Sequence, residues 1–213
     1  MHSAAADLRL SEVIRLPRRS VYHVAGHVPA SFLLVDDRVG AILVNTPPFS
    51  DRVLAAVCEV AKPRFIFLPS RFGARDLDAW RAATGARTMA STEETPDIDG
   101  SIDERIDGGV RLHGRLDFLM LSGRTRGTCA LRVKAPPGIV FFGPALEHAD
   151  LPVLRRHADD HSFENRVIGA LALRDLEFEF ALCDDYIHGT SRYGPGARTL
   201  VVEALDAALN ALG

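Results

Sequence analysis

The sequence predicts an α/β chain of four layers, an αββα sandwich with two β-sheets inside and helices outside, formed as one domain over residues 1–213. Three observations carry this. Short β-rich runs joined by tight turns lead into a strand–helix alternation, a strand-rich middle broken by Gly and Pro follows, and helical periodicity returns toward the C-terminus. A chain of 213 residues is long enough for one substantial core, and its 47% hydrophobic and 25% charged residues match soluble globular proteins.

The elements follow in order. Residues 30–35 (ASFLLV) and 40–44 (GAILV) are β-rich, and DDRVG between them has the Asp and Gly of a hairpin turn, so they are expected to pair antiparallel. After TPPFS, Ser50 suits a helix N-cap, and Val53, Leu54, Val57 and Val60 repeat at helical spacing over 51–60 until Pro63. A buried strand is expected at 65–68, a second helix at 76–83, and a short strand at 87–90 entered through Gly85. The acidic stretch 92–107 reads as a surface connection. Strands are expected at 109–113, 115–121, 129–133 and 139–142, a helix across 151–173, a last strand at 178–182, and an amphipathic helix at 198–212.

The net charge of −3 argues against nucleic acid as a partner, because phosphate binding needs a concentrated basic surface. No apolar run reaches the roughly 20 residues of a membrane helix, and the opening MHSAAADLRLSEVIRL lacks a secretory pattern, so a cytoplasmic protein without membrane attachment is expected. Cys58, Cys129 and Cys183 are widely spaced in apolar surroundings and read as small hydrophobes in a reducing compartment. Only Lys62 and Lys134 are lysines. The remaining positive charge is arginine, whose planar fork matches carboxylate and phosphate.

Several strings resemble the metallo-β-lactamase superfamily over about residues 31–186. SFLLVDDRVGAILVNTPP is similar to the opening hairpin that ends in Asp-Thr, here Asn45-Thr46. FIFLPSRFGARDLDAW resembles the strand and loop that carry the first metal ligands. LMLSGRTRGTCALRV resembles the Pro-Gly-His-Thr-x-Gly-Ser turn, IVFFGPAL resembles the Phe-x-Gly-Asp-x-Leu strand end, and FEFALCDDY sits where a member of that family carries Gly-His-Gly. The resemblance implies the αββα fold and a hydrolytic zinc or iron site with ligands at strand ends, where an open position activates water. It also implies that this chain has lost most of those ligands. Aligned on Asp76, the three histidine places of the first loop fall on Phe72, Ala74 and Leu77, with Ser70 as a variant place for the first. The next histidine falls on Arg124, the bridging aspartate on Pro144, and the last histidine on Asp185 or its neighbours. Proline offers no side-chain donor, and arginine brings a positive charge to a dication's place.

These positions yield three readings. The first is a catalytically inactive member of the fold that binds a small molecule or another protein, a homodimer included, and needs no cofactor. The second is a hydrolase with a reduced or relocated zinc or iron site drawn from Asp76, Asp185 and His188, with His157 or His161 added; those two lie four apart in RRHADDH and share a face if that segment is helical. The third is a metal-free small-anion binder using Arg71, Arg75, Arg124 and Arg126, with Asp76 and Arg124 paired across the emptied site. A solvated rim of arginines is the plainer expectation for these side chains, and an exposed charged helix the plainer one for RRHADDH. His23 and His27 read as strand and turn, and His113 as a strand residue near a turn. No Gly-x-Ser-x-Gly elbow is present, Ser70, Ser122 and Ser191 carry no triad signature, and YGPGA reads as the loop before the last helix.

Overall fold

Two β-sheets, each packed into apolar cores on both faces, set the architecture in the computed structural model, which describes residues 10–24, 26–107, 111–112, 114–147 and 151–212. The first sheet has seven strands in chain order: β1 (Leu10–Leu16), β2 (Arg19–Val24), β3 (Ser31–Asp36), β4 (Gly40–Val44), β5 (Pro63–Leu68), β6 (Arg87–Ser91) and β7 (Glu104–Ile106). From β1 to β4 the pairing is antiparallel, and from β4 to β7 it is parallel. The second sheet contains β8 (Arg111–Leu112), β9 (Leu116–Met120), β10 (Cys129–Val133), β11 (Ile139–Gly143) and β12 (Phe180–Cys183), ordered β12-β11-β10-β9-β8 and antiparallel except for the β11–β12 pair. Gly109 and His113, at the bounds of one expected strand, lie outside the described residues.

Period-two alternation divides the central strands of each sheet between two cores. Phe32, Leu34, Ile42, Phe65 and Phe67 meet Phe118, Leu131 and Phe141 between the sheets, with Phe67 and Phe118 ring centroids 5.3 Å apart. Leu33, Leu43, Ile66 and Leu68 face the opposite way, onto Val53 and Val57 of α1 (Asp51–Val60) and Leu77 and Trp80 of α2 (Leu77–Thr84). On the far side, Ala130, Val140, Phe142 and Ala181 pack against Val167 and Ala170 of α3 (Phe163–Ala170) and Val201 and Leu205 of α4 (Ala197–Asn210). The order helix, sheet, sheet, helix is thus the expected four layers.

Local chemistry starts and stops these elements. Ser50 accepts the Val53 N–H at 3.2 Å as the cap of α1, and Asp36 Oδ1 accepts the N–H groups of Arg38 and Val39 to close the β3–β4 turn. In β1 the register shifts between Glu12 and Ile14, a bulge at the sheet edge. Cys129 and Cys183 are buried among apolar side chains and Cys58 is half-buried, all three as free thiols. Burial pushes the Cys129 thiol up to about 12, which suits packing and opposes nucleophilic chemistry.

Two expectations are corrected. The helix expected over 151–173 is confined to α3, followed by a 3₁₀ turn at Leu171–Asp175. Pro152 lies in the preceding stretch, where Glu147 and Val153 form an isolated antiparallel bridge, and Ser162 caps α3 by accepting from Asn165 N–H. The stretch 92–107 is not a plain surface connection: it contains a 3₁₀ turn (Thr95–Asp97), the edge strand β7 and the fully buried Glu94. No helix among the described residues is long and apolar enough to cross a membrane.

Trp80 anchors the α2 layer: it is fully buried, donates its indole N–H to the Pro47 carbonyl at 2.7 Å, and stands edge-on to Phe49. Trp80→Ala is expected to lower stability by about 3–5 kcal/mol through cavity and lost burial, read as a shifted denaturant midpoint with unchanged slope.

Candidate functional site

The candidate site is built where β4, β5, β6, β11 and β12 end and β10 begins. The sheets come together tightly here. A side chain on Gly143 would lie 2.2 Å from Pro69 Cβ, and the Cys129 N–H donates to the Pro69 carbonyl at 2.8 Å. Asn45, in the left-handed region at φ 57°, donates its side-chain amide to Ala30 O and to Asp184 Oδ1, both at 2.8 Å. Asparagine is among the few residues that tolerate this backbone, and here the turn aims its side chain across the seam.

Asn45 and Thr46 also hold the loop after β5. Thr46 donates both its N–H and its hydroxyl to Gly73 O, at 2.9 and 3.0 Å, and its hydroxyl oxygen accepts from Arg75 N–H at 2.8 Å. A Cβ at Gly73 would fall 1.8 Å from Asn45 Oδ1, so only glycine fits. Ser70 is fully buried and caps the 3₁₀ turn Arg71–Gly73 by accepting from Phe72 N–H. On the other side of the loop, Glu94 accepts from Arg71 N–H at 2.7 Å and from Gly127 N–H at 2.9 Å, so one buried carboxylate joins loops of both sheets.

The structure distributes the expected site residues as follows. Phe72 is half-buried, with the guanidinium carbons of Arg71 and Arg124 at 5.4 and 5.1 Å from its ring centre. Asp76, the second non-glycine residue with positive φ among those described, is exposed and accepts from Phe49 N–H at 2.8 Å, while Leu77 is buried in the α2 core. Pro144 follows β11, and Asp185 follows Asp184 at the end of β12.

The expected Asp76–Arg124 pair does not form. Arg124 instead bridges Asp159 at 3.0 Å and Asp160 at 3.6 Å, holding Asp159 below the usual carboxylate range. Those two aspartates belong to RRHADDH, which is irregular rather than helical, so the four-residue spacing of His157 and His161 does not place them on one helical face. His157 contacts Glu147, and His161 is exposed. Of the arginines expected to line an anion site, Arg71 pairs with Asp97 at 2.9 Å, Arg75 donates to Val28 O, Arg124 is committed as above, and Arg126 is exposed.

Three histidines meet beside the seam. His23 is buried at 6% exposure, with its ring 4.9 Å from Tyr186 and 6.4 Å from His188, and its Nδ1 has no hydrogen-bond partner. Exposed His188 contacts Tyr186 Oη through Nδ1 at 3.3 Å, and His27 Nε2 contacts Ser31 Oγ at 2.8 Å. Burial lowers His23 to about 4, helped by His188 and His27. Burial also raises Asp184 to about 7, against the hydrogen bond from Asn45 and with the charge of Asp185.

The donor set does not fit the implied zinc or iron ion. Phe72, Ala74, Leu77 and Pro144 offer no ligand atom, Ser70 is used as a cap, and Arg124 is cationic. Among the described residues no group of three or more His, Cys, Asp or Glu side chains is arranged to hold a metal. Glu94, Asn45 and His23 were not among the sequence-derived site residues, and Asp184 entered only as a neighbour of Asp185. Their traces in the sequence are slight: an Asn in place of Asp before Thr46, a second Asp beside Asp185, and an acidic pair before Thr95-Pro96.

No family model matches the sequence, and no curated protein matches it. Solved structures do. The chain is similar to a metallo-β-lactamase of Cronobacter sakazakii with a HARLDQ motif, at 13% identity and TM-score 0.71, covering 98% of this chain and 96% of that one. It is also similar to BJP-1, a subclass B3 metallo-β-lactamase of Bradyrhizobium japonicum, at 13% identity and TM-score 0.66, with the same coverage. A third is LRA-12, a class B3 di-zinc metallo-β-lactamase from an Alaskan soil metagenome, at 14% identity and TM-score 0.64, covering 100% of this chain and 96% of that one.

Two predictions follow from this geometry. Glu94→Gln replaces one of two buried acceptors with a donor facing an N–H, and is expected to cost about 1–3 kcal/mol in denaturant unfolding. Asp184, raised from 3.8, contributes stability that is present at low pH and lost as pH rises through about 7, whereas His23, lowered from 6.5, contributes stability lost as pH falls through about 4. The two slopes oppose each other. Relative to the wild type, His23→Phe is expected to steepen the loss of stability as pH rises from 4 to 7, and Asp184→Asn to steepen the loss as pH falls from 6.5 to 4. Unfolding curves across that range read both.

The two facing sheets, their outer helix layers and these full-length structural matches together give the chain the metallo-β-lactamase fold.

Proposed function

We propose that this chain acts by binding a small molecule or another protein, and not as a metal-dependent hydrolase. The observation that carries this reading is the commitment of the strand-end side chains to one another. Ser70 caps a turn, Phe72 lies against two guanidinium groups, Asp76 holds the Phe49 N–H, and Arg124 is paired with Asp159 and Asp160. A dication placed beside Arg124 would meet a like charge, and the carboxylates nearest it, Asp159 and Asp160, are already engaged by that guanidinium. The seam nevertheless keeps strained and titratable groups, Asn45, Asp76, Asp184 and His23, which a purely structural joint does not require. Those groups support recognition at this end of the sandwich.

Metal analysis of the purified chain tests the reading, with zinc and iron supplementation during expression as parallel samples. The expected result is far less than one ion per chain in every sample. One or two tightly retained ions per chain would overturn the proposal and favour a relocated metal site.

A further inference from the structure

The strand-end arginines are largely committed, but a second arginine group lies at the opposite end of the sandwich. There the β1–β2 turn, the start of β9 and the segment after β10 enclose a cavity of about 200 Å³ lined by Arg18, Arg19, Arg115, Pro136 and Pro137. Arg19 is 6% exposed. Its Nη2 donates to the carbonyls of Pro136 and Pro137 at 3.0 and 3.4 Å, while Nη1 is buried without a hydrogen-bond partner. The nearest carboxylate, Asp36, lies 4.0 Å from Arg19 Nε and has its other oxygen engaged by the backbone N–H groups of Arg38 and Val39. Arg18 faces Asp37 at 3.8 Å in an exposed contact that solvent weakens. Three guanidinium groups therefore meet two carboxylates, and the deepest of the three keeps an unused donor.

We propose that this cavity binds a small oxyanion, a phosphate or carboxylate group, between the side chains of Arg18, Arg19 and Arg115 that line it. Guanidinium donors match the oxygen spacing of both groups, and an anion here would neutralise the excess positive charge. Size narrows the ligand. The cavity falls below the roughly 300 Å³ at which pockets for larger organic ligands begin, so it admits an isolated anionic group and not a nucleotide. The inference goes beyond the reading of the strand-end site and stands whether or not that site holds a metal.

Calorimetric titration of the whole chain at low ionic strength, with inorganic phosphate and with succinate in separate runs, tests the proposal and distinguishes the two anion chemistries. Saturable binding of at least one anion is expected. It should weaken about tenfold in Arg115→Gln, the equivalent of one charge-assisted hydrogen bond, and remain unchanged in Arg126→Gln at the other end of the molecule. Arg115 is only partly buried, so this variant leaves the buried Arg19 in place. Absence of binding by both anions would overturn the proposal, as would equal affinities in the two variants.

Discussion

Where β5 and β11 end, the sheets approach so closely that backbone groups of one must be satisfied by the other, and the strand-end loops depend on that constraint. Unpaired polar groups in such a seam are costly, and most are met, although Asn45 Oδ1 and His23 Nδ1 are buried without a hydrogen-bond partner. Pro69 O accepts from Cys129 N–H, Asn45 bridges Ala30 and Asp184, and Glu94 receives one N–H from each side. These bonds span sequence separations as large as 139 residues. They fix the loops that would otherwise be positioned only by the apolar core between the sheets, which resists separation but specifies loop geometry weakly.

This arrangement also changes the electrostatics of the strand ends. A metal centre gathers carboxylates and imidazoles around a concentrated positive charge, whereas here the positive charge is carried by arginines spread along the loops, with Arg71 paired to Asp97 and Arg124 to Asp159 and Asp160. Arg124 is drawn toward the segment containing Asp159 and Asp160. Arg166, at 1% exposure, extends the same network by donating to Ala145 O and Arg155 O at 2.7 Å, with Asp160 at 3.5 Å. A buried ion network of this kind holds a conformation in place more than it adds net stability, because desolvation offsets much of the attraction.

The legible parts of the sequence were those with local causes. Ser50 with its helical spacing fixed α1, DDRVG fixed the β3–β4 turn, and the apolar run CALRV fixed β10. Features resting on distant partners were harder to read. Glu94 sits in an acidic stretch whose composition suggests solvent, and only Arg71 and Gly127, supplied by other loops, make it a core residue. RRHADDH has a helical spacing of histidines, yet its backbone follows the tertiary pull of Arg124 and Arg166 on its aspartates. Within the site, single substitutions such as Arg124 and Pro144 were visible as losses, but the replacement partners were not, because pairing across 35 residues leaves no local pattern.

The borders of the two sheets bear on how the molecule meets others of its kind. β1 carries a bulge and the paired charges of Glu12 and Arg15, and β7 has only three residues. Beside β12, the Ala181 N–H is taken up by Tyr193 O. Long, flat, unpaired borders are the templates on which chains add to one another strand by strand, and short or kinked ones discourage it. The described borders at β1 and β7 are therefore poor templates for open-ended, strand-by-strand growth.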